Sequence, residues 1–327
     1  MINFDIRMST SKIQKVLHYS SIFYYKLFPF IFGDLLITTR CAANCSFCVY
    51  GKLDKCDMSK ENITVLSKSF KNIGVRNVRI SGGEPFTVFN KLLYAVRELK
   101  KYYSSNRISI ITSCLWAQDN KETYEKLNIL KNKYGIRKIF ISFDAFHLEH
   151  IPISNYYNCF KVLKDLDMKF HLAIRYSKGL KKYFPDLLTI IREFNPKVSF
   201  KLVMPVGNAE DLEISEMISV EDIIEIKSLF LSQNQFLSPS IILEKIKKFI
   251  LKHNCFMLTA FPSGDIHFCC LKQENTFMGN INNESIEEMW CKLKKSNWSN
   301  VGRIIKYLIT PQGRDVFMCK QCPVKAK

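Results

Sequence analysis

Between residues 34 and 205 the sequence alternates short apolar runs with amphipathic stretches, and this alternation limits the possible folds more than any other feature. The apolar runs have the length of buried strands, and the stretches between them have helical periodicity. Strands that alternate with helices form parallel sheets through right-handed crossovers. We therefore expect an α/β fold, a partial (β/α)6 barrel, with functional groups at the carboxyl ends of its strands. The predicted strands are 35–39, 77–85 (including a turn), 107–113, 137–144, 169–176 and 197–205, and the predicted helices are 60–73, 89–103, 121–134, 156–166 and 182–193.

The character of the sequence changes after Pro205. A polar, acidic segment (VGNAEDLEISEM) and a lone amphipathic helix (SPSIILEKIKKFILKH) precede a region rich in cysteine. These changes predict three parts: an N-terminal extension (1–33), a core (34–206) and a smaller C-terminal domain (207–327). The extension is interpreted as a covering helix in preference to an interfacial membrane anchor. Its apolar stretch is interrupted by Lys26 and Pro29 and is too short to span a bilayer.

Composition narrows the functional classes. The first residues carry no export signal, so the twelve cysteines favour metal or redox chemistry in a reducing, cytoplasmic compartment over a disulfide framework. The net charge of +18 is consistent with a solvated basic surface or with an acidic partner. Because the basic residues are spread along the sequence and no RNA-binding motif occurs, stable nucleic-acid binding is not expected.

Three cysteines follow the first predicted strand in the segment TTRCAANCSFCVYG. Cys41, Cys45 and Cys48 have the spacing C-x3-C-x2-C, which suits a metal site. Zinc is one interpretation, and Cys56 would then be the nearest fourth thiol. The other is an iron–sulfur cluster held by three thiolates, in which one iron stays open for a substrate or cofactor.

This loop resembles that of the radical S-adenosylmethionine (radical SAM) enzymes, whose C-x3-C-x-aromatic-x-C pattern is matched by Cys41, Cys45, Phe47 and Cys48. The resemblance implies that the cysteines hold a 4Fe–4S cluster whose open iron binds SAM. It further implies that an external electron donor of the flavodoxin or ferredoxin type reduces the cluster. SAM is then cleaved to methionine and a 5′-deoxyadenosyl radical, which abstracts hydrogen from a substrate. Phe47 is expected near the adenine.

The segment SGGEP (81–85) follows the second predicted strand, where the family has the same motif. Gly82 and Gly83 are expected to let the backbone approach a ligand closely. The resemblance implies that Glu84 accepts hydrogen bonds from the SAM ammonium group. By itself the motif would indicate an ordinary turn. Its position after the cysteine loop and one helix is what supports the resemblance to the family.

Weaker correspondences concern the ends of the fourth and fifth strands. Ser142, and after it Asp144, match positions that contact the SAM ribose in family members. Arg175 matches a position that often pairs with the SAM carboxylate, and a surface cation is an equal alternative. His147 and His150 are interpreted as ordinary loop histidines in preference to acid–base groups.

The C-terminal region resembles the SPASM domain of radical SAM enzymes, or its shortened twitch form. The signals are Gly264 followed by Cys269, a G-N-I segment and the late C-x2-C in CKQCP. The resemblance implies one auxiliary 4Fe–4S cluster, with Cys270 as a possible replacement for one ligand and structural zinc as the alternative. Its implied ligands are Cys255, Cys269, Cys319 and Cys322.

The implied function is oxidation or cross-linking of a peptide, in the maturation of ribosomally made peptides, or of a sugar or small metabolite. A thiol-dependent epimerase is an alternative, for which Cys114 is the candidate hydrogen donor. The simpler interpretation of Cys114 is a small buried hydrophobic residue. A non-catalytic iron–sulfur or zinc protein that binds an acidic partner such as RNA is the alternative from another class.

Overall fold

The computed structural model describes residues 32–175, 177–201, 203, 207–212, 257–268, 272 and 276–296. The predicted N-terminal extension lies outside these residues, except for its last two positions. The lone amphipathic helix and the four proposed auxiliary-cluster cysteines also lie outside them.

A parallel sheet of six strands forms the body of the protein and confirms the predicted α/β fold. Neighbouring strands along the chain are also neighbours in the sheet, and every pair among these six is parallel. This order is that of a partial (β/α)6 barrel. The strands are β1 (Phe32–Thr38), β2 (Asn77–Gly82), β3 (Ile108–Thr112), β4 (Lys138–Ser142), β5 (Lys169–Arg175) and β6 (Lys197–Lys201).

The helices follow the predicted alternation. Two of the outer helices begin at capping side chains: Ser59 accepts from the Asn62 amide and Asp119 from the Glu122 amide. A π-helical turn, Ile129–Lys133, continues the helix Asn120–Asn128. The short helix Ala145–Leu148 was not predicted. The helices are α1 (Lys60–Asn72), α2 (Phe89–Lys100), α3 (Asn120–Asn128), α4 (Ala145–Leu148), α5 (Ile153–Asp165), α6 (Phe184–Phe194) and α7 (Ile286–Ser296).

Strand β1 lies inside the sheet and is buried on both faces. Leu35, Leu36 and Ile37 are fully buried, which explains why the strand is a continuous apolar run. Its one charged residue, Asp34, lies opposite Arg79 of β2 and accepts two hydrogen bonds from that guanidinium, at 2.5 and 2.6 Å. The bidentate pair compensates a carboxylate that is otherwise buried.

Three C-terminal strands extend the same sheet on the other side of β1. Strand β7 (Met257–Ala260) pairs in parallel with β1, and β8 (Asp265–His267) and β9 (Phe277–Asn280) continue it as antiparallel neighbours. Gly264 turns the β7–β8 hairpin with a φ of 89°. Helix α7 then packs on α1. The strand that carries the cysteine loop is therefore covered on both edges.

Among the described residues, none of the helices combines the length and apolar character that a membrane crossing requires.

Candidate active site

The cysteine loop is closed at its base by a second segment of the chain. The Thr39 amide donates to the Cys56 carbonyl at 2.9 Å, and the Cys56 amide donates back to Thr39 Oγ1 at 2.8 Å. The Met58 amide donates to the Ile37 carbonyl at 2.9 Å. The loop therefore leaves and re-enters the sheet at one point, at the carboxyl end of β1.

The three predicted thiols lie together on this loop. Cys45 is buried, whereas Cys41 and Cys48 are half-buried. Burial raises the pKa of Cys41, and amides of Ala43 and Asn44 that point at its sulfur oppose the shift. Burial also raises the pKa of Cys45, and the nearby Asp144 and the other two thiols add to that rise. Three thiols this close together can ionise together only if a cation binds between them. Amide donors that point at sulfur are typical of iron–sulfur ligation.

The donor set therefore fits a cluster bound by Cys41, Cys45 and Cys48. Among the described residues, no three histidine, cysteine, aspartate or glutamate side chains converge closely enough to hold a single metal ion. Cys56, the fourth ligand in the zinc interpretation, lies at the base of the loop, where its sulfur is 3.8 Å from Thr39 Oγ1.

The Gly-Gly-Glu turn is joined directly to the strand end that precedes the cysteines. The Gly83 amide donates to the Thr38 carbonyl and the Glu84 amide to the Arg40 carbonyl, both at 2.8 Å. A Cβ atom at Gly82 would lie 2.1 Å from the Thr38 carbonyl oxygen, and one at Gly83 would lie 2.1 Å from that of Arg40. Gly82 also has a φ of 144°. The close approach that was expected toward a ligand is thus made to the chain's own backbone.

Glu84 is completely buried, and its carboxylate is surrounded by donors. Oε1 accepts from the Phe86 amide at 3.1 Å, and Oε2 accepts from the amide and hydroxyl of Ser113 at 2.8 and 2.6 Å. The Thr112 hydroxyl lies 2.9 and 3.0 Å from the two oxygens. Burial raises the pKa of Glu84, and these hydrogen bonds, Ser113 first, oppose the rise. In this structure Glu84 ties the turn to the end of β3, and its contact with SAM stays a prediction.

Phe47 lies in a cluster at the ends of β4 and β5. Its ring centroid is 4.9 Å from that of Phe146 and 5.2 Å from that of His147. The guanidinium carbon of Arg175 lies 4.9 Å from the ring centroid, a cation–π contact. The structure thus brings Phe47 and Arg175 into contact with each other, and their contacts with SAM stay predictions.

Asp144 and His147 form a pair that the sequence interpretation missed. Asp144 caps helix α4, and its Oδ1 lies 2.9 Å from His147 Nδ1. Oδ2 is buried and has no hydrogen-bond partner among the described residues. The i, i+3 spacing of a capping aspartate and a histidine was the signal for this pair. Ser142, half-buried, precedes it, and its carbonyl accepts from Tyr156 at 3.2 Å. His150 follows α4 and is exposed.

Cys114 follows the end of β3, as predicted, and is fully buried in a left-handed conformation with a φ of 65°. Burial raises its pKa well above the ordinary value, and a side-chain hydrogen bond with Cys159 adds to the rise. Its thiol thus points into the protein core.

A turn at residues 207–211 is hydrogen-bonded to the cysteine loop, and the sequence analysis did not predict this contact. Asn208 donates from its amide to the Cys48 carbonyl and from Nδ2 to the Cys45 carbonyl, both at 3.0 Å. Gly207, with a φ of 64°, lies so close that a Cβ atom would be 2.6 Å from the Cys48 carbonyl oxygen. The polar composition of this segment suggested a domain linker and gave no signal of the contact.

Comparison with known proteins agrees with this geometry. Residues 35–217 match the radical SAM superfamily. GTP 3′,8-cyclase from Clostridium botulinum is 24% identical over 228 residues, which are 65% of this chain and 68% of that protein. The GTP 3′,8-cyclase of Aquifex aeolicus is 23% identical over 205 residues, which are 58% of this chain and 62% of that protein.

Solved structures share the fold. SuiB of Streptococcus suis bound to S-adenosylmethionine aligns with a TM-score of 0.61 at 15% identity, over 98% of this chain and 83% of that one. The enzyme anSMEcpe with bound AdoMet aligns with a TM-score of 0.59 at 15% identity, over 90% and 88%. The family match covers more than half of the sequence and contains the cysteine loop and the Gly-Gly-Glu turn. The chain therefore belongs to the radical SAM superfamily of enzymes, which implies that it binds SAM and a 4Fe–4S cluster.

Proposed function

We propose that this protein is a radical SAM maturase that oxidises or cross-links a peptide. The observation that supports SAM chemistry is the pair of hydrogen bonds that joins the Gly-Gly-Glu turn to the start of the cysteine loop. The Gly83 and Glu84 amides hold the turn against residues 38–40, directly before Cys41. A ligand on the open iron of a cluster would therefore meet both motifs at one strand end.

Each residue of the site has a role in this proposal. Cys41, Cys45 and Cys48 ligate three irons, and Phe47 offers a ring face to the adenine. Arg175 supplies a cation for the SAM carboxylate. The buried Oδ2 of Asp144, which has no hydrogen-bond partner within the described part of the chain, can accept a hydrogen bond from a ribose hydroxyl. When bound, the cluster supplies the electron that cleaves SAM to methionine and the 5′-deoxyadenosyl radical. The surrounding side chains hold SAM and exclude water.

A peptide substrate is supported by two structural neighbours. SuiB has been solved with the precursor peptide SuiA, and anSMEcpe with a peptide and AdoMet. The net charge of +18 favours an acidic substrate. GTP is the second candidate substrate, because the curated relatives are GTP 3′,8-cyclases and GTP is anionic.

An auxiliary 4Fe–4S cluster in the C-terminal region is part of the proposal. Its ligands would be Cys255, Cys269, Cys319 and Cys322, all outside the described residues. The β7–β8 hairpin that turns at Gly264 is consistent with the hairpin of such a domain. A second cluster would accept the electron that oxidation of a substrate radical releases.

The test of SAM chemistry is the triple variant Cys41→Ala, Cys45→Ala, Cys48→Ala, purified without oxygen and supplied with iron, sulfide, dithionite and SAM. We expect it to retain roughly half of the wild-type iron, since one of two clusters would remain. We also expect no 5′-deoxyadenosine. Continued SAM cleavage by this variant would overturn the assignment of the three ligands.

The test of the substrate class compares acidic peptides with GTP, using mass spectrometry of the products. Oxidation of a peptide gives a product lighter by two hydrogens, and we expect Cys114→Ala to retain turnover because that thiol is buried. An epimerase would instead leave solvent deuterium in a product that lacks this mass loss, and Cys114→Ala would abolish turnover. If GTP were converted and no peptide changed, the peptide maturase proposal would be wrong and GTP would be the substrate.

A further inference from the structure

A basic groove opens on the surface of the protein next to helix α2. Its volume is about 490 Å³, and it runs along helix α2 past the first residue of helix α1. Lys60, Lys91 and Arg97 supply its charge, and Phe89, Tyr94 and Tyr134 supply aromatic walls. Among the described residues, none of the side chains that line the groove is acidic.

The cations of the groove are held in place by aromatic rings. Lys60 Nζ lies 5.5 Å and the Arg97 guanidinium carbon 4.7 Å from the centroid of Tyr94. Tyr94 is itself fixed, because its hydroxyl lies 2.9 Å from Thr64 Oγ1. Lys60 and Arg97 are exposed, so both charges face the solvent. Two carboxylates partly neutralise these cations: Asp57 lies 3.7 Å from Lys91, and Glu98 lies 3.5 Å from Arg97.

A short series of contacts connects the groove to the cysteine loop. Asp57 contacts Lys91 on one side and Arg40 on the other, with its Oδ1 3.3 Å from Arg40 Nε. Asp57 also accepts from the Thr38 hydroxyl at 2.7 Å. Arg40 immediately precedes Cys41, the first proposed ligand.

Aromatic rings form a second connection. Phe89, in the groove wall, stacks on Phe86 at 5.8 Å, and Phe86 stacks on Trp116 at 3.9 Å. The Phe86 amide donates to Glu84, whose own amide donates to the Arg40 carbonyl. The groove wall is therefore packed against the turn that holds the cysteine loop.

We propose that this groove is the docking surface for an acidic protein that carries single electrons, of the flavodoxin or ferredoxin type. The inference rests on the proposed function, because only a cluster at Cys41, Cys45 and Cys48 gives such a partner something to reduce. In the complex the carrier loses one electron and the cluster gains it, with no bond formed or broken. The three cations of the groove, of which Lys91 is connected through Asp57 and Arg40 to the cysteine loop, provide the charge complementarity that such a carrier needs.

The test is the charge-reversal variant Lys60→Glu, Lys91→Glu, Arg97→Glu, assayed for 5′-deoxyadenosine with two reductants. With an acidic flavodoxin and its reductase we expect a rate roughly tenfold or more below wild type, because steering of the encounter is lost. With dithionite, a small reductant that needs no docking surface, we expect the wild-type rate. Raising the ionic strength should slow the flavodoxin reaction of the wild type and have little effect on that of the variant.

The matched control is Lys138→Glu, Lys169→Glu, Lys197→Glu. These exposed lysines begin β4, β5 and β6, do not line the groove, and give the same reversal of three charges. We expect this variant to equal wild type with both reductants. If both variants were slowed equally with flavodoxin, the effect would come from the net charge of the protein and not from the groove. That outcome would overturn the proposal.

The remaining outcomes separate this inference from the proposed function. No 5′-deoxyadenosine from wild-type protein with dithionite would refute radical SAM chemistry itself. A groove variant that retains the wild-type rate with flavodoxin would refute only the docking surface. A groove variant that cleaves SAM normally with both reductants but no longer modifies an acidic peptide would make the groove a substrate site instead.

Discussion

At the scale of single residues, Glu84 is the most constrained side chain of the site. Replacing it by glutamine keeps the shape but turns one acceptor oxygen into an NH2 group that faces the Ser113 or Phe86 donors. We expect Glu84→Gln to cost about 1–3 kcal/mol of stability, the penalty for buried donors that lose their acceptor. SAM affinity should also fall, because the turn that carries Gly83 is no longer tied to β3.

The measurements are urea unfolding, SAM binding and iron content. Iron should stay at the wild-type level, since Glu84 is not a ligand. The control is Glu98→Gln, another buried carboxylate, whose Oε2 pairs with Lys101 at 2.5 Å on helix α2. It should lower stability and leave SAM affinity unchanged. Unaltered SAM affinity in Glu84→Gln would show that the turn does not depend on this carboxylate.

At the scale of elements, the turn at residues 207–211 is what holds the outer side of the cysteine loop. Asn208→Ala removes the hydrogen bond from Nδ2 to the Cys45 carbonyl, a contribution of about 1 kcal/mol. A loosened loop opens more often, so we expect iron to be lost faster to a chelator than from wild type. The rate of decay of the visible absorbance measures this loss.

A control lies two residues away. Glu210→Gln breaks the exposed ion pair with Lys52, at 3.3 Å, and pairs of this kind contribute little to stability. We expect its iron to be released at the wild-type rate. If both variants lost iron equally fast, any disturbance of the turn would accelerate iron release, and the hydrogen bond from Asn208 to the Cys45 carbonyl would have no specific role.

The same elements show what the sequence could and could not predict. Strand β1 was predicted because a buried parallel strand is a continuous apolar run that needs no partner to be recognised. Strands β4 and β5 alternate buried with more exposed residues, and their short runs between amphipathic helical stretches were enough to predict them. Helix α4 was missed because its four residues are too short for periodicity, and only the cap at Asp144 marks it. The hydrogen bonds that tie Glu84 to the end of β3 were missed for a different reason. Its donors Thr112 and Ser113 reach it through the pairing of β2 with β3, which no local pattern specifies.

At the scale of the whole molecule, the continuous sheet couples the C-terminal hairpin to the cluster strand. The pairing of β7 with β1 joins segments far apart in the sequence, and no local pattern specifies it, so the sequence analysis did not predict it. Leu258 lies opposite Gly33 in this pairing and is fully buried. Loss of its side chain should therefore weaken the strand that leads into the cysteine loop.

We expect Leu258→Ala to lower stability by about 2–5 kcal/mol, the usual cost of such a cavity. In urea, under anaerobic conditions, the visible absorbance of the cluster should disappear in the same transition as the far-ultraviolet circular dichroism signal, at a lower midpoint than in wild type. Leu187→Ala, in the buried face of α6, is the control for a cavity on the far side of the sheet. If the C-terminal hairpin unfolded independently, Leu258→Ala would produce an early transition in which the cluster absorbance persists. The hairpin would then be an appendage that does not support β1.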